Sequence, residues 1–239
     1  MAAALNAAKE RPILFSGPMV RAILEGRKSQ TRRLLRVPDH PAVADWVLDS
    51  EYRAAARAHS EAVADQYVST FPHGRVRCPY GVPGDRLWVR ETFCTCYDGQ
   101  EAYEVIYAAD NTRRGFSTAS NATDDQLDWL ERSMTTHGER GRPAIHMPRW
   151  ACRLVLEVTA SRVERLQDIS EDDARAEGCE QKRYLVNPFK TGALRARFSG
   201  EVSTFKESYA LLWDSLNAKR SPWASNPWVW AITFRRTHD

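Results

Sequence analysis

What this chain lacks narrows it first. Among its 34 basic residues only six are lysines, Lys9, Lys28, Lys182, Lys190, Lys206 and Lys219, so arginine is the default cation. Each lysine therefore asks for a reason. No apolar run approaches the roughly 20 residues of a membrane helix, and the sequence predicts no membrane span. The five cysteines are odd in number and irregularly spaced, which excludes a disulfide framework and points to the cytoplasm. Cys94 and Cys96 lack zinc-knuckle spacing and read as strand cysteines. There is no glycine-rich phosphate loop, no internal repeat, no low-complexity linker and no export signal in the opening MAAALNAAKERP, so residues 1–11 are expected to be a flexible leader. What is present suits a folded chain: 239 residues, 43% of them hydrophobic, can bury a core, which excludes disorder over most of the length. The net charge of +3 is compatible with an anionic partner but too small to demonstrate one.

Patterning predicts an order of elements. Residues 12–15 read as a short buried strand, and Ser16-Gly17-Pro18 opens a helix carrying Met19, Val20, Ile23 and Leu24 until Gly26. The Pro83-Gly84-Asp85 turn leads into alternating RLWVRETF, and residues 104–107 form another strand. Thr123 and Gln126 open a helix in a capping-box pattern, with Leu127, Leu130 and Met134 along it. Residues 153–158 and 163–166 read as two strands, followed by a short acidic helix opened by Ser170 and Asp173 and stopped by Gly178. An amphipathic helix over about 204–216 presents Tyr209, Leu212, Trp213 and Leu216 on one face, and residues 228–234 close the chain as a strand. Short strands interrupted by helices without regular alternation predict an α+β fold around a small barrel rather than a doubly wound sheet. The expected organisation is one domain over 12–239 with insertions at about 37–82, with an alanine-rich helix near 51–67, at 110–148, and at 180–204, a basic mobile loop or hairpin.

Gly26-Arg27-Lys28-Ser29-Gln30-Thr31-Arg32-Arg33 is the best candidate for chemistry. On a turn, a lysine three residues before a threonine shares its side; on a regular strand the two face opposite ways. If they meet in a desolvated pocket, Lys28 loses its proton and activates the Thr31 hydroxyl. The alternative is a basic, solvated surface segment with too few apolar residues for core. Glu177, at the end of the acidic helix, is disfavoured as a carboxylate by the helix dipole, which suits a general acid; an exposed glutamate at a frayed end is the alternative. His146 has no metal-ligand partner at suitable spacing and reads as structural. Arginine and tryptophan interleave around Trp88 and Arg90, and around Trp223, Trp228 and Trp230, a mixture that stacks bases and holds phosphates. Trp230 reads as core, while Trp88 and Trp228 fit either role.

Together these pieces resemble the ASCH superfamily, whose members have a PUA-like β-barrel fold. The resemblance rests on G-x-K-x-x-T-x-R at 26–33, the Gly84-Asp85 turn into Arg86-Leu87-Trp88-Val89, the strand pair at 153–166, the acidic helix at 170–178 and the closing strand at 228–235. Runs such as Ile145-His146-Met147-Pro148-Arg149-Trp150 and Ser225-Asn226-Pro227-Trp228 look like those of larger ASCH proteins of tailed bacteriophages and prophages. The resemblance covers about half the chain. It implies a nucleic-acid-related pocket and, by similarity to small bacterial members, an amidohydrolase that removes acetyl from N4-acetylcytidine without metal or other cofactor. Lysine, threonine and glutamate of that mechanism fall on Lys28, Thr31 and Glu177, and the arginine of the motif on Arg33; Arg33, Trp88, Arg90 and Trp228 are then the expected substrate contacts. Ser29 stands where the motif usually has threonine. The expected partner is a modified nucleoside or nucleic acid, RNA rather than DNA, with no membrane. The competing expectations are a non-catalytic reader of RNA or modified DNA bases, and an RNA-cleaving ASCH protein.

Overall fold

The computed structural model describes residues 8–35, 68–71, 74–99, 102–117, 122–137, 141–181 and 204–237. The expected helix near 51–67 and nearly all of the expected loop at 180–204 lie outside the described residues. The chain is mixed α+β and divides into two compact units, one drawn from 1–25, 85–157 and 236–239, the other from 26–84 and 158–235.

The first unit begins with β1 (Glu10–Leu14), two residues inside the expected leader, and α1 (Gly17–Leu24). Pro18 sits in the first turn of α1, where its missing N–H has no intrahelical partner to lose. Gly26, just past the helix end, has φ 74°, a left-handed conformation that a side chain would strain. β1 runs parallel to β5 (Arg86–Arg90), and β5 pairs antiparallel with the start of β9 (Val155–Arg165). A separate antiparallel sheet holds β6 (Phe93–Tyr97), β7 (Tyr103–Tyr107) and β8 (Arg113–Phe116) in that order. Cys94 and Cys96 lie on β6. Against this sheet packs α2 (Asp124–His137), whose capping box forms as expected: Thr123 N donates to the Gln126 side chain and Gln126 N to Thr123 Oγ1. Phe93, Val105, Tyr107, Phe116, Leu130, Met147 and Ala151 make the core there. The stretch 110–148 thus carries β8 and α2 as part of a packed unit.

The second unit holds β2 (Gln30–Leu34), a hairpin of β3 (Val68–Phe71) and β4 (Gly74–Arg77), most of β9, α3 (Glu171–Ala176), α4 (Phe205–Asn217) and β10 (Trp228–Arg236). β10 lies between β9 and β2 and is antiparallel to β2. Where the sequence predicted two strands at 153–158 and 163–166, β9 runs unbroken for 11 residues. Thr159-Ala160-Ser161 has no glycine or proline to stop it, and the strand runs through it with Thr159 exposed and Ser161 buried. Thr204 caps α4 in a full capping box with Glu207. Tyr209 and Trp213 enter a core with Leu166, Ile169, Ala174 and Val229, and Leu212 packs at its edge. Leu216, expected on the same face, is 57% exposed, because the last turn of α4 runs past that core.

Candidate active site

The segment 28–32 is polar in composition and buried in fact. Lys28, Gln30, Thr31 and Arg32 are each between 2% and 4% exposed, so the solvated-surface alternative is wrong for these four. What buries them is pairing on both sides. β2 is laid against β10 with Gln30 opposite Thr233 and Thr31 opposite Ile232, while Lys28 bridges backbone to Glu177 and Ser29 N donates to Ala176 O. α3 positions Glu177. Ser170 caps its first turn by accepting from Asp173 N, Ala174 anchors it in the core, and Gly178 at φ 84° turns the chain out after Glu177. Glu177 is therefore the C-terminal cap of α3, and 3% exposed rather than frayed.

Lys28 and Glu177 meet as the resemblance implies. Lys28 Nζ donates to Glu177 Oε2 at 2.6 Å, to the Glu177 carbonyl at 2.8 Å and to the Gln30 carbonyl at 2.8 Å. The second carboxylate oxygen, Oε1, accepts from Arg32 NH1 at 3.1 Å. Arg32 also reaches Glu164 at 2.6 Å and Asp173 at 3.1 Å, and Arg162 ties Glu164 and Asp173 together from the rim. Three cations and three carboxylates thus balance in one network. Burial draws the Lys28 ammonium below the ordinary lysine value, against the opposing pull of the Glu177 charge and hydrogen bond. Burial also works to lower Arg32, but Glu164 and Glu177 outweigh it and hold the guanidinium above its ordinary value. Burial, with the Glu177 charge behind it, pushes the Tyr209 hydroxyl well above the usual phenol range; Arg32 lies 5.8 Å over that ring.

Thr31 is placed differently. Side chains alternate along a strand, and Gln30 and Arg32 both turn toward α3, where Gln30 Nε2 donates to Asp173 Oδ1 at 3.1 Å. Thr31 and Arg33 therefore project from the opposite face, beside Ile232 and Trp230. The Gln30 carbonyl that receives Lys28 Nζ is bonded to the Thr31 nitrogen, so the ammonium lies beside the Thr31 backbone while the hydroxyl faces away from the network. The chain here is extended, not turned, so Lys28 and Thr31 do not share a face.

Trp228, at the start of β10, is half-buried under the Arg165 guanidinium, 4.4 Å above its ring. Trp230 is core, as expected, at 3% exposure. Trp88 and Arg90 stand on β5 in the other unit, where Arg90 lies 5.3 Å over the Trp88 ring and NH2 donates to the Ile145 carbonyl. His146 is exposed on a single 3-10 turn instead of filling a structural niche, because Pro143 and Pro148 bracket the turn at the surface. Sequence reasoning missed Arg32, Glu164 and Asp173. The signal was present in Arg162-Val163-Glu164, a charged pair two apart on a strand and hence on one face, which requires a charged counterpart there. Among the described residues no three His, Cys, Asp or Glu side chains are grouped to hold a metal ion, and no described helix is long and apolar enough to cross a membrane. No protein-family model, curated protein or solved structure matches the chain.

Proposed function

We propose that this is an ASCH-type, PUA-like protein of the cytoplasm that acts on nucleic acid, as a metal-independent amidohydrolase removing the acyl group from an N4-acylated cytidine-type base. The observation that supports it is the 2.6 Å contact between Lys28 and Glu177, side chains 149 positions apart that the motif correspondence pairs. Such a pair is a proton reservoir. In its neutral form, Lys28 amine beside Glu177 carboxylic acid, the amine takes the Thr31 hydroxyl proton as the oxygen attacks the acyl carbonyl, and the acid protonates the departing exocyclic amine. The pair is then ammonium and carboxylate. Water attacks the acyl-threonine ester, giving its proton to the carboxylate, while the ammonium returns a proton to the Thr31 oxygen. Carboxylic acid leaves and the neutral pair is restored. The burial that lowers Lys28 favours the amine form this cycle needs. Because Thr31 leaves β2 on the opposite face, the first step requires β2 to open locally from β10 and bring the hydroxyl round to Nζ, with Lys28 releasing one carbonyl.

A second reading has its own support. All three N–H groups of the Lys28 ammonium have acceptors, and the side chains of Lys28, Arg32 and Glu177 are 0%, 0% and 2% exposed. That is how a structural pin is built, and a pair committed to structure favours a reader that captures a base without cleaving it. Incubation with N4-acetylcytidine, acetylated RNA and unmodified RNA separates the two. Acetate release that disappears in Thr31→Val, with the melting curve intact, is the expected result. Retained complex with no acetate from either acetylated substrate gives the reader instead.

A further inference from the structure

The face of the second unit opposite the charge network gathers two arginines and two buried polar atoms. Leu166 N donates to the Pro227 carbonyl, which sets β9 beside β10, and the Arg165 guanidinium lies over the Trp228 ring at 4.4 Å. Arg162 and Glu164 face the network, so Ser161, Val163 and Arg165 alternate onto the other face. β2 sends Arg33 to that same face, directly opposite Trp230. Trp228 Nε1 and Ser161 Oγ are closed off from solvent and have no hydrogen-bond partner among the described residues, Ser161 being only 8% exposed. A buried indole N–H without an acceptor is costly, and such a cost is retained where function uses the donor. Indole N–H and guanidinium are donor-only groups, so what they recognise is rich in acceptors and, beside two arginines, anionic.

Resting on the nucleic-acid reading above, we propose that Trp228 Nε1 and Arg165 bind a phosphodiester of the substrate strand, which makes the substrate a polymer rather than a free nucleoside. In the free protein Arg165 NH1 donates to the Asn226 carbonyl at 3.0 Å and the guanidinium covers the ring. A phosphate drawing Arg165 off the ring meets the guanidinium and the indole N–H together, and the uncovered ring face is a platform for the adjoining base.

The test uses a fluorescein-labelled, unmodified single-stranded RNA oligonucleotide, so binding is read without any hydrolysis. Wild type, Trp228→Phe, Arg165→Gln and Arg165→Lys are titrated by anisotropy at several salt concentrations. Arg165→Gln is expected to shallow the slope of log affinity against log salt by about 0.7, the loss of one phosphate contact on a single strand, and Arg165→Lys to restore it. Trp228→Phe keeps a ring but no N–H and is expected to weaken binding about tenfold with the slope unchanged. Single-stranded DNA of the same sequence should show the same slope change. A slope change confined to RNA, unchanged slope and affinity in the variants, or no binding by the wild type overturns the proposal. Acetate release from N4-acetylcytidine is scored separately, so a failed hydrolase and a failed phosphate site give different results.

Discussion

Replacing Glu177 by leucine tests whether the buried pair exists as described. The substitution removes the carboxylate that both Lys28, at 2.6 Å, and Arg32, at 3.1 Å, use, and leaves its backbone carbonyl in place. Arg32 keeps Glu164 and Asp173. Lys28 loses its charged partner and keeps two neutral carbonyls, so the cost is that of a buried ammonium without the carboxylate that neutralised it. Breaking a buried ion pair from one side costs about 3–5 kcal/mol, and the retained carbonyls place this case near the lower end, about 3. For a chain of this size that is roughly a 6–12 °C fall in melting midpoint. Glu177→Gln keeps an acceptor and loses the charge, so about half that fall is expected. Lys28→Met combined with Glu177→Leu removes both charges, and the double variant should be at least about 1 kcal/mol more stable than the sum of the single effects predicts. Circular-dichroism melts with urea titrations of equal slope are the assay. A Glu177→Leu protein within about 0.5 kcal/mol of wild type, the range of a surface change, would refute the reasoning, as would strict additivity in the cycle.

Three further outcomes follow from other parts of the chain. Burial pushes the Tyr107 hydroxyl up to about 12, and it donates to the Ala151 carbonyl at 2.8 Å; ultraviolet titration should show a late-ionising tyrosine that Tyr107→Phe removes, at about 1–2 kcal/mol of stability. Burial works to raise Asp110, but hydrogen bonds from Arg153 and Thr112 win and lower it from 3.8 to about 2. Its stabilisation is therefore complete above pH 4 and lost as pH falls toward 2, so the gap between wild type and Asp110→Asn, about 1 kcal/mol after solvent screening, should close across that window in acid titrations. Thr204→Ala removes the side-chain half of the α4 capping box and should cost about 1 kcal/mol in urea unfolding, whereas Thr204→Asn should cost little.

Much of the fold was legible because local chemistry wrote it. The Thr123–Gln126 capping box, Pro18 at a helix start, Gly26 and Gly178 at helix ends and the β-branched and aromatic run of β10 are all short-range signals, and each is in place. The division into two units was not legible, since β1, α1 and residues 85–157 are joined by pairing that no local pattern encodes. In the site, Lys28 and Glu177 were found through motif correspondence; their neighbours were not. Arg32 stands beside Thr31 in the same motif, but a buried guanidinium is tolerated only with its partners, and Glu164 and Asp173 come from elements more than 130 positions away. Burial of a polar segment is the general blind spot: composition counts 28–33 as surface until the opposing charges are known.

The scarcity of lysine bears on which variant is informative. At Lys28 the three acceptors lie 2.6–2.8 Å from one atom and match the three N–H groups of a compact ammonium. Arg32 shows what the other cation does in the same network: its planar fork spreads over Gln30, Glu164, Asp173 and Glu177. Each position takes the head group its acceptors fit, so Lys28→Arg forces a longer, flat group into a closed three-acceptor cage. Its failure to release acetate would follow from a missing base and equally from a broken pin. Thr31 carries no such ambiguity, because its side chain leaves β2 on the opposite face and its hydroxyl supports none of the Lys28 or Arg32 bonds. Thr31→Val keeps the branched shape a strand favours and removes only the oxygen. Undiminished acetate release from that variant would eliminate the acyl-threonine route while leaving the Lys28–Glu177 pin intact, and loss of release with an unchanged melt would assign the hydroxyl a chemical role.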